Sequence, residues 1–285
     1  MQILTWNVQW CCGLDGVVSP ARIVQHALAQ GEARGGLDVL CLQEVAVGHS
    51  DLQGAPGDQV AALHGLLPGW QVFFAATTDG FDASGQRRQF GNVVATRLPV
   101  AQVAQHRLPW RAEAGIVSMP RGCLVVTVRD PQLGLVRVMT THLEYHSARQ
   151  RSDQVKALRA IHAEALAQHA AQPGAAPAAT PYMTPVHTPH AVLCGDFNLE
   201  PHEAEYAELV AAGDGQFHDA WTLLNPDQKQ PDTFRLFDRT WGPEPGACDF
   251  VLVSESLRAQ VRSWQTDSTT QLSDHQPVWV QVGGE

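Results

Sequence analysis

The chain has 285 residues, 44% hydrophobic and 17% charged, with a formal net charge of −10. This composition allows a sizeable folded core, and the acidic balance excludes a broad basic surface for non-specific nucleic-acid binding. It does not exclude nucleic acid itself, because clustered acids can hold divalent ions that invert the local sign.

No apolar run approaches the roughly 18 residues of a membrane span, so no stable membrane insertion is expected. Met1 is followed closely by the strand-like ILTW, so no secretory leader is expected. Cys11, Cys12, Cys41, Cys123, Cys194 and Cys248 contain no CxxC pair, and four of them sit in apolar runs. They read as reduced thiols of a cytoplasmic protein, expected to act as a monomer.

Gln2–Asn7 predicts a first strand with Asn7 at its exit. Ser19 and Pro20 have the pattern of an N-cap followed by proline at the first helical position. Ile23, Val24, Ala27 and Leu28 then make one helical face, closed by Gly31. Leu37–Leu42 is nearly continuous in apolar residues, the mark of a strand covered on both faces, and it ends at Gln43 and Glu44. A helix is expected over Asp58–Leu67 and a strand over Trp70–Ala75, with a polar loop at Thr77–Arg88.

Further strands are expected at Asn92–Thr96, Ala101–Leu108 and Gly122–Arg129, then a hairpin turn at Asp130–Gly134 into Leu135–His142. Ser147 and Gln150 have capping-box spacing. The helix they open would bury Val155, Leu158, Ile161 and Leu166, leaving Arg151, Asp153 and Lys156 outside. Gln172–Pro189, rich in Pro, Ala and Thr, predicts a surface insertion within one domain spanning residues 1–285, because strand and helix patterns alternate on both sides of it. Pro201–Val210 predicts a helix. Strands are expected at His218–Leu224, Thr233–Leu236, Cys248–Ser254, Val261–Thr266 and Pro277–Val282.

The chemistry concentrates in LCGDFNLEP, residues 193–201. Asp196 and Asn198 are two positions apart, so in a strand both would look to one side at its end. Hard oxygen ligands at that place suit Mg²⁺ or Mn²⁺ and the phosphates such ions polarise. A turn in which both side chains satisfy local backbone donors is the plainer alternative.

Polar groups recur at other strand ends: Asn7, Glu44, His142, Asp249, and Asp274 with His275. Asp249 interrupts the apolar CDFVLV, where an unpaired carboxylate would be costly. A buried Asp bonded to a His fixes the imidazole tautomer and raises its basicity. Each group alone has a commoner structural explanation, a turn former or a paired core residue, but six such strand ends together point to one convergent site.

TWN (5–7), LQEV (42–45), GNVVATR (91–97), THL (141–143), GDFN (195–198), CDFVLVS (248–254) and SDHQP (273–277) stand in the order seen in the endonuclease/exonuclease/phosphatase superfamily. The chain resembles that group from residue 3 to about residue 282, with local similarity to its tyrosyl-DNA phosphodiesterase branch in TWN, LQEV and HLE. The resemblance implies a four-layer α/β sandwich, two mixed β-sheets packed face to face with helices outside.

It also implies roles. Glu44 would bind the divalent ion, Mg²⁺ or Mn²⁺, with Asn7 beside it, and Asp274 would be a further metal ligand. Asp196 and Asn198 would position the attacking water or the scissile phosphate. His275, oriented by Asp249, would act as base or stabilise the phosphate, and His142 would contact a phosphoryl oxygen.

The implied activity is metal-dependent phosphodiester hydrolysis, with nucleic acid as the expected substrate. A lipid or small-molecule phosphoester is the alternative, and a non-catalytic binding module the rival from another class. Loss of Glu44, Asp196 or His275 would favour the last, and all three are present. The DNA-clamping loops of the branch enzymes are not recognisable. The cations near the motifs are few: Arg87, Arg88, Arg97, Arg121, Arg149 and Arg151. Trp10, Trp110 and Trp241 fall in loop-like stretches, where they would stack on a flat group or pack under loops.

Overall fold

The structure, a computed structural model, describes residues 1–179 and 185–284. In chain order its regular elements are β1 (Gln2–Asn7), α1 (Pro20–Glu32), β2 (Val39–Val47), α2 (Gln59–Leu66), β3 (Gln71–Phe81), β4 (Arg87–Thr96), β5 (Val100–Arg107) and β6 (Gly122–Asp130). There follow β7 (Gly134–His142), α3 (Ala148–Ala171), β8 (Ala191–Asp196), α4 (Ala204–Val210), β9 (Phe217–Asp219), α5 (Ala220–Leu224), β10 (Asp249–Ser254), β11 (Val261–Thr266) and β12 (Val278–Val282).

The strands form two six-stranded sheets, ordered β11-β12-β1-β2-β4-β3 and β5-β6-β7-β8-β10-β9. Each is mixed, with β1 and β2 parallel in the first and β7 and β8 parallel in the second. Alternation along the strands assigns the layers. Ile3, Val39, Cys41 and Val94 of the first sheet meet Leu124, Val126, Val136, Val138 and Val192 of the second in one buried core. The opposite face of the first sheet, including Leu4, Trp6, Leu40 and Leu42, packs on Ile23, Val24 and Ala27 of α1 and Leu63 of α2. Met139, Leu193, Phe250 and Leu252 of the second sheet pack on Val155 and Leu158 of α3 and Leu209 of α4. Burial of both faces is why the central strands read as apolar runs rather than as alternating ones.

Local signals work as expected at several ends. The Ser19 side chain accepts from Arg22 N, with Pro20 opening α1. Asp58 caps α2 through Ala61 N. Ser147 caps α3 through Gln150 N, but the Gln150 side chain donates to Glu113 and completes no capping box. All six cysteines are buried and free.

Four expectations are corrected. Thr77–Arg88 is not a loop: β3 runs to Phe81, β4 starts at Arg87, and the turn between them is held by Asp82 Oδ1, which accepts from Ser84 N and Gln86 N. This hairpin end projects into solvent, which accounts for its polarity, and Asp79 and Arg87 pair across it.

His218–Leu224 is a strand only as far as Asp219, whose side chain caps α5 by accepting from Trp221 N. Thr233–Leu236 forms only isolated bridges, through Phe234 to Gly246 and to His275. Arg151 is buried rather than outside, with Nη2 3.2 Å from Glu203 and 3.6 Å from Glu205.

Within the Pro-rich stretch, residues 172–177 have no regular structure, and residues 180–184 lie outside the described residues. Its last part is fixed to the second sheet: Val186 N donates to Gln102 Oε1 and Thr188 Oγ1 donates to the Leu135 carbonyl. Among the described residues, no helix is long and apolar enough to cross a membrane.

Candidate active site

The sheets bring their strand ends together at one rim. Asn7 ends β1, His142 ends β7, Asp196 ends β8 and Asp249 begins β10. Parallel β7 and β8 set His142 opposite Asp196, and antiparallel β8 and β10 set Asp196 opposite Asp249. The close approach of β7 and β8 requires Gly195, whose φ is +139° and where a Cβ would lie 1.9 Å from the Thr141 carbonyl oxygen.

Glu44 sits in a register shift of β2 between Leu42 and Val45, with φ of 61°. The irregularity re-aims its carboxylate into the space between the sheet ends, a common use of a bulge beside a site. Asp274 and His275 come from the segment before β12.

Asp196 is the hub. Its Oδ2 accepts from Asn7 Nδ2 at 2.9 Å and lies 3.4 Å from His142 Nε2 and 3.6 Å from His275 Nε2. Its Oδ1 accepts from Asn198 N at 2.9 Å, while Asn198 Nδ2 donates to the Leu143 carbonyl. Asn7 Nδ2 also donates to Glu44 Oε1 at 3.0 Å, and Asn7 Oδ1 accepts from Gln9 N. The amide of Asn7 therefore turns its nitrogen to the cleft and ties Glu44 to Asp196.

His275 Nδ1 lies 2.9 Å from Asp249 Oδ2, which also accepts from the Thr233 hydroxyl at 2.6 Å. Phe234 stacks on the His275 ring, with centroids 4.2 Å apart and planes at 19°. Asp274 Oδ2 accepts from Gln9 Nε2.

Burial shifts these groups strongly. Glu44 is pushed up to about 7, by burial first and then by the charges of Asp274 and Asp196. Asp196 rises to about 6 through burial, with His275 opposing. Asp274 is also raised by burial. Burial pulls the His275 imidazole down, but Asp249 and Asp196 overcome it and hold the ring well above the usual histidine value. His142 goes the other way: burial, Arg121 and His275 keep it neutral.

The residues face a cleft of about 260 Å³. Glu44, His142, Asp196, Asn198, Asp274 and His275 line it, while Asp249 and Asn7 support it from behind. Its walls add Trp10, Phe90, Tyr145, Phe234 and Trp241, and Arg121 is the one arginine on it. Trp110 is exposed elsewhere and bonds Ser118.

Sequence reasoning placed no role on Gln9, Gln43, Thr233 or Phe234. Gln43 is fully buried and its Nε2 bonds Thr5 of the first sheet and Thr140 of the second, joining the sheets beneath the site. The one available signal was a glutamine ending an apolar run next to Glu44.

The donor chemistry fits a divalent cation. Glu44, raised to about 7 by burial first and then by its acidic neighbours, needs a countercharge to ionise, and the oxygens of Glu44 and Asp274 are the hard donors that Mg²⁺ or Mn²⁺ prefer. Asp196, Cys248 and His275 also place ligand-type atoms within 4.8 Å of one another. There, burial followed by Asp249 and Asp196 holds the Cys248 thiol protonated, which disfavours a thiolate ligand.

A face-to-face pair of mixed sheets with this acidic, metal-suited cleft at its rim defines a hydrolase of phosphoesters. The chain belongs to the Endonuclease/Exonuclease/phosphatase family, which it matches over residues 4–275, and it is a metal-dependent phosphoesterase.

Solved structures share the fold. An endonuclease/exonuclease/phosphatase from Beutenbergia cavernae is 24% identical, with a TM-score of 0.71, covering 100% of this chain and 72% of that one. A mannosyl-6-phosphatase from Bacteroides thetaiotaomicron is 16% identical, with a TM-score of 0.66 and 100% of both chains covered. A truncated Caenorhabditis elegans TDP2 is 19% identical, with a TM-score of 0.61, covering 99% of this chain and 97% of that one. No match is found among curated proteins.

Proposed function

We propose that this chain is a Mg²⁺- or Mn²⁺-dependent phosphodiesterase that acts on the ends of short or single-stranded nucleic acid. The observation that carries this reading is the His275 ring, held by Asp249 on one side and 3.6 Å from Asp196 on the other, at the floor of an aromatic-walled cleft.

Glu44 and Asp274 would hold the ion, and Asn7 positions Glu44. Bound there, a divalent ion supplies charge stabilisation to the phosphoryl oxygens and lowers the pKa of water. The protein supplies the rest. Asp196, with a pKa near working pH, is placed to accept the proton of the attacking water. Asn198 fixes the unused oxygen of Asp196 through its backbone N–H. His275 brings a positive N–H to the charge that builds on the phosphoryl group, and neutral His142 offers a second hydrogen bond to it.

The walls bear on substrate length. Arg87 pairs with Asp79, Arg88 with Asp51 and Asp82, Arg97 with Asp38, and Arg151 with Glu203 and Glu205. Arg121, itself 3.6 Å from Glu144, is the arginine that lines the cleft, where Trp10 and Trp241 offer flat surfaces to a base. A second reading, a small phosphoester such as a sugar phosphate, is favoured by the confined volume of about 260 Å³.

A panel of single-stranded DNA, RNA, phosphatidylinositol phosphate, sphingomyelin, sugar phosphate and bis-p-nitrophenyl phosphate, each with and without Mg²⁺, tests the proposal. Metal-dependent turnover of the nucleic acids supports it. Turnover confined to a lipid or sugar phosphate replaces it with the second reading.

A further inference from the structure

A second polar cavity, of about 140 Å³, lies on the outer face of the β5-β6-β7 side of the second sheet, beneath α3 and the segment 186–188. Arg137 lines it from the start of β7. Val136 and Val138 point into the core between the sheets, so alternation turns Arg137 outward. Five residues separate it from His142 along one strand, roughly 16 Å, which places this cavity well away from the active site.

Arg137 is 7% exposed and forms no ion pair among the described residues. Its Nη2 lies 2.6 Å from His162 Nδ1, and burial and Arg137 itself hold His162 down to about 3, so that ring is neutral. Nε of Arg137 has no hydrogen-bond partner, and neither does the buried Nε2 of His187, which lines the same cavity. An isolated buried guanidinium costs several kcal/mol unless something pairs with it. His106, Thr127 and the amide nitrogen of Gln102 add hydrogen-bonding groups to the wall, while the Thr188 hydroxyl is already donated to the Leu135 carbonyl. The one acid, Glu164, is exposed at the rim and bonded by Gln168. At about 140 Å³ the cavity has room for several waters or one small tetrahedral oxyanion.

We propose that this cavity is a binding site for inorganic phosphate, in which Arg137, His106 and His187 supply the positive and N–H donors and Arg137 gains the anionic partner the fold withholds. This inference stands apart from the substrate reading, since no residue of the catalytic cleft takes part. Inorganic phosphate bound there would leave the catalytic cleft free, since the two cavities share no lining residue.

The test is a phosphate titration of the protein as purified, followed by calorimetry and melting temperature, with chloride at equal ionic strength as the reference. Arg137→Gln removes the charge. Ala165→Phe fills the cavity from α3 while leaving Arg137 and the catalytic cleft intact, and its phosphoesterase activity reports that it is folded. The expected result is saturable binding in the millimolar range or tighter, competed by sulfate and weakened about tenfold or more in both variants, the scale of losing one charge-assisted interaction. Any phosphate held at the catalytic cleft persists in both variants and is subtracted. Absence of that variant-sensitive binding in the wild type, or wild-type affinity in folded Ala165→Phe, overturns the proposal. Should Arg137→Gln fail to fold, the Ala165→Phe comparison decides alone.

Discussion

Nδ1 of His275 lies 2.9 Å from Oδ2 of Asp249, with side-chain exposures of 4% and 0%. Asp249 is sealed from solvent behind His275, which lines the cleft, and the other Asp249 oxygen has no hydrogen-bond partner, so the carboxylate is committed to the ring and to Thr233. That relation orients His275 Nε2 toward Asp196 and keeps the ring charged.

Replacing Asp249 by Asn should therefore leave a folded protein with a misassigned, neutral imidazole. The expected loss in kcat is roughly 10²–10⁴-fold, the range for a positioned acid–base group, with a smaller change in KM. His275→Ala should fall in the same range, and the double variant should lose little more, because the two act as a unit. Wild-type turnover by either single variant would show that the pair is structural only.

The metal-free protein should show the cost of the crowded carboxylates. Glu44 has a folded pKa raised from 4.5 to about 7, so its contribution to stability is present below about 4.5 and is lost as pH climbs through about 7. Without divalent ions, Glu44→Gln should melt above the wild type at pH 8, and the difference should vanish toward pH 4.5. Mn²⁺ should raise the wild-type melting temperature more at the higher pH and do less for the variant. A difference between the two proteins that does not vary with pH would contradict the shift assigned to Glu44.

Trp6 couples the helix-side core to the site, since its Nε1 donates to the His275 carbonyl at 2.9 Å from a fully buried indole. Trp6→Phe removes that bond and leaves a void. The expected loss is about 1–2 kcal/mol, read as a fall in melting temperature of roughly 2–8 °C for a chain of this size, with a modest fall in kcat. An unchanged melting temperature would mean that the carbonyl finds another donor.

Gly195 is set by geometry rather than by chemistry. Its φ of +139° and the 1.9 Å approach of a Cβ to the Thr141 oxygen leave no room for a side chain. Gly195→Ala should destabilise by more than about 3 kcal/mol, through strain and separation of β7 from β8. A soluble variant with wild-type melting would show that these strands can part without loss.

These residues also mark how far the sequence could be read. Asn7, Glu44, His142, Asp196, Asp249 and Asp274–His275 were legible because each is a polar break at the end of an apolar run, where strand geometry alone fixes its position. The structure gathers all of them at one rim. Thr233 and Phe234, which brace Asp249 and His275, come from a segment held only by isolated bridges, whose path is set by tertiary contacts. Arg121 could be named as a nearby cation, but its place on the cleft and its 3.6 Å contact with Glu144 depend on the turn into β6. The 77–88 stretch was misread because an exposed hairpin end carries the same polar and glycine signals as a loop.

The most direct measurement is cleavage of one end-labelled DNA strand, free and in duplex, with Mg²⁺ or a chelator, at roughly 50 and 200 mM salt. The account predicts metal-dependent removal of residues from the free strand, a shallow salt dependence because few phosphates are gripped, and loss of the activity in His275→Ala. Efficient internal nicking of intact duplex with a steep salt dependence, or no cleavage of the strand while a lipid or sugar phosphate is turned over, would contradict it.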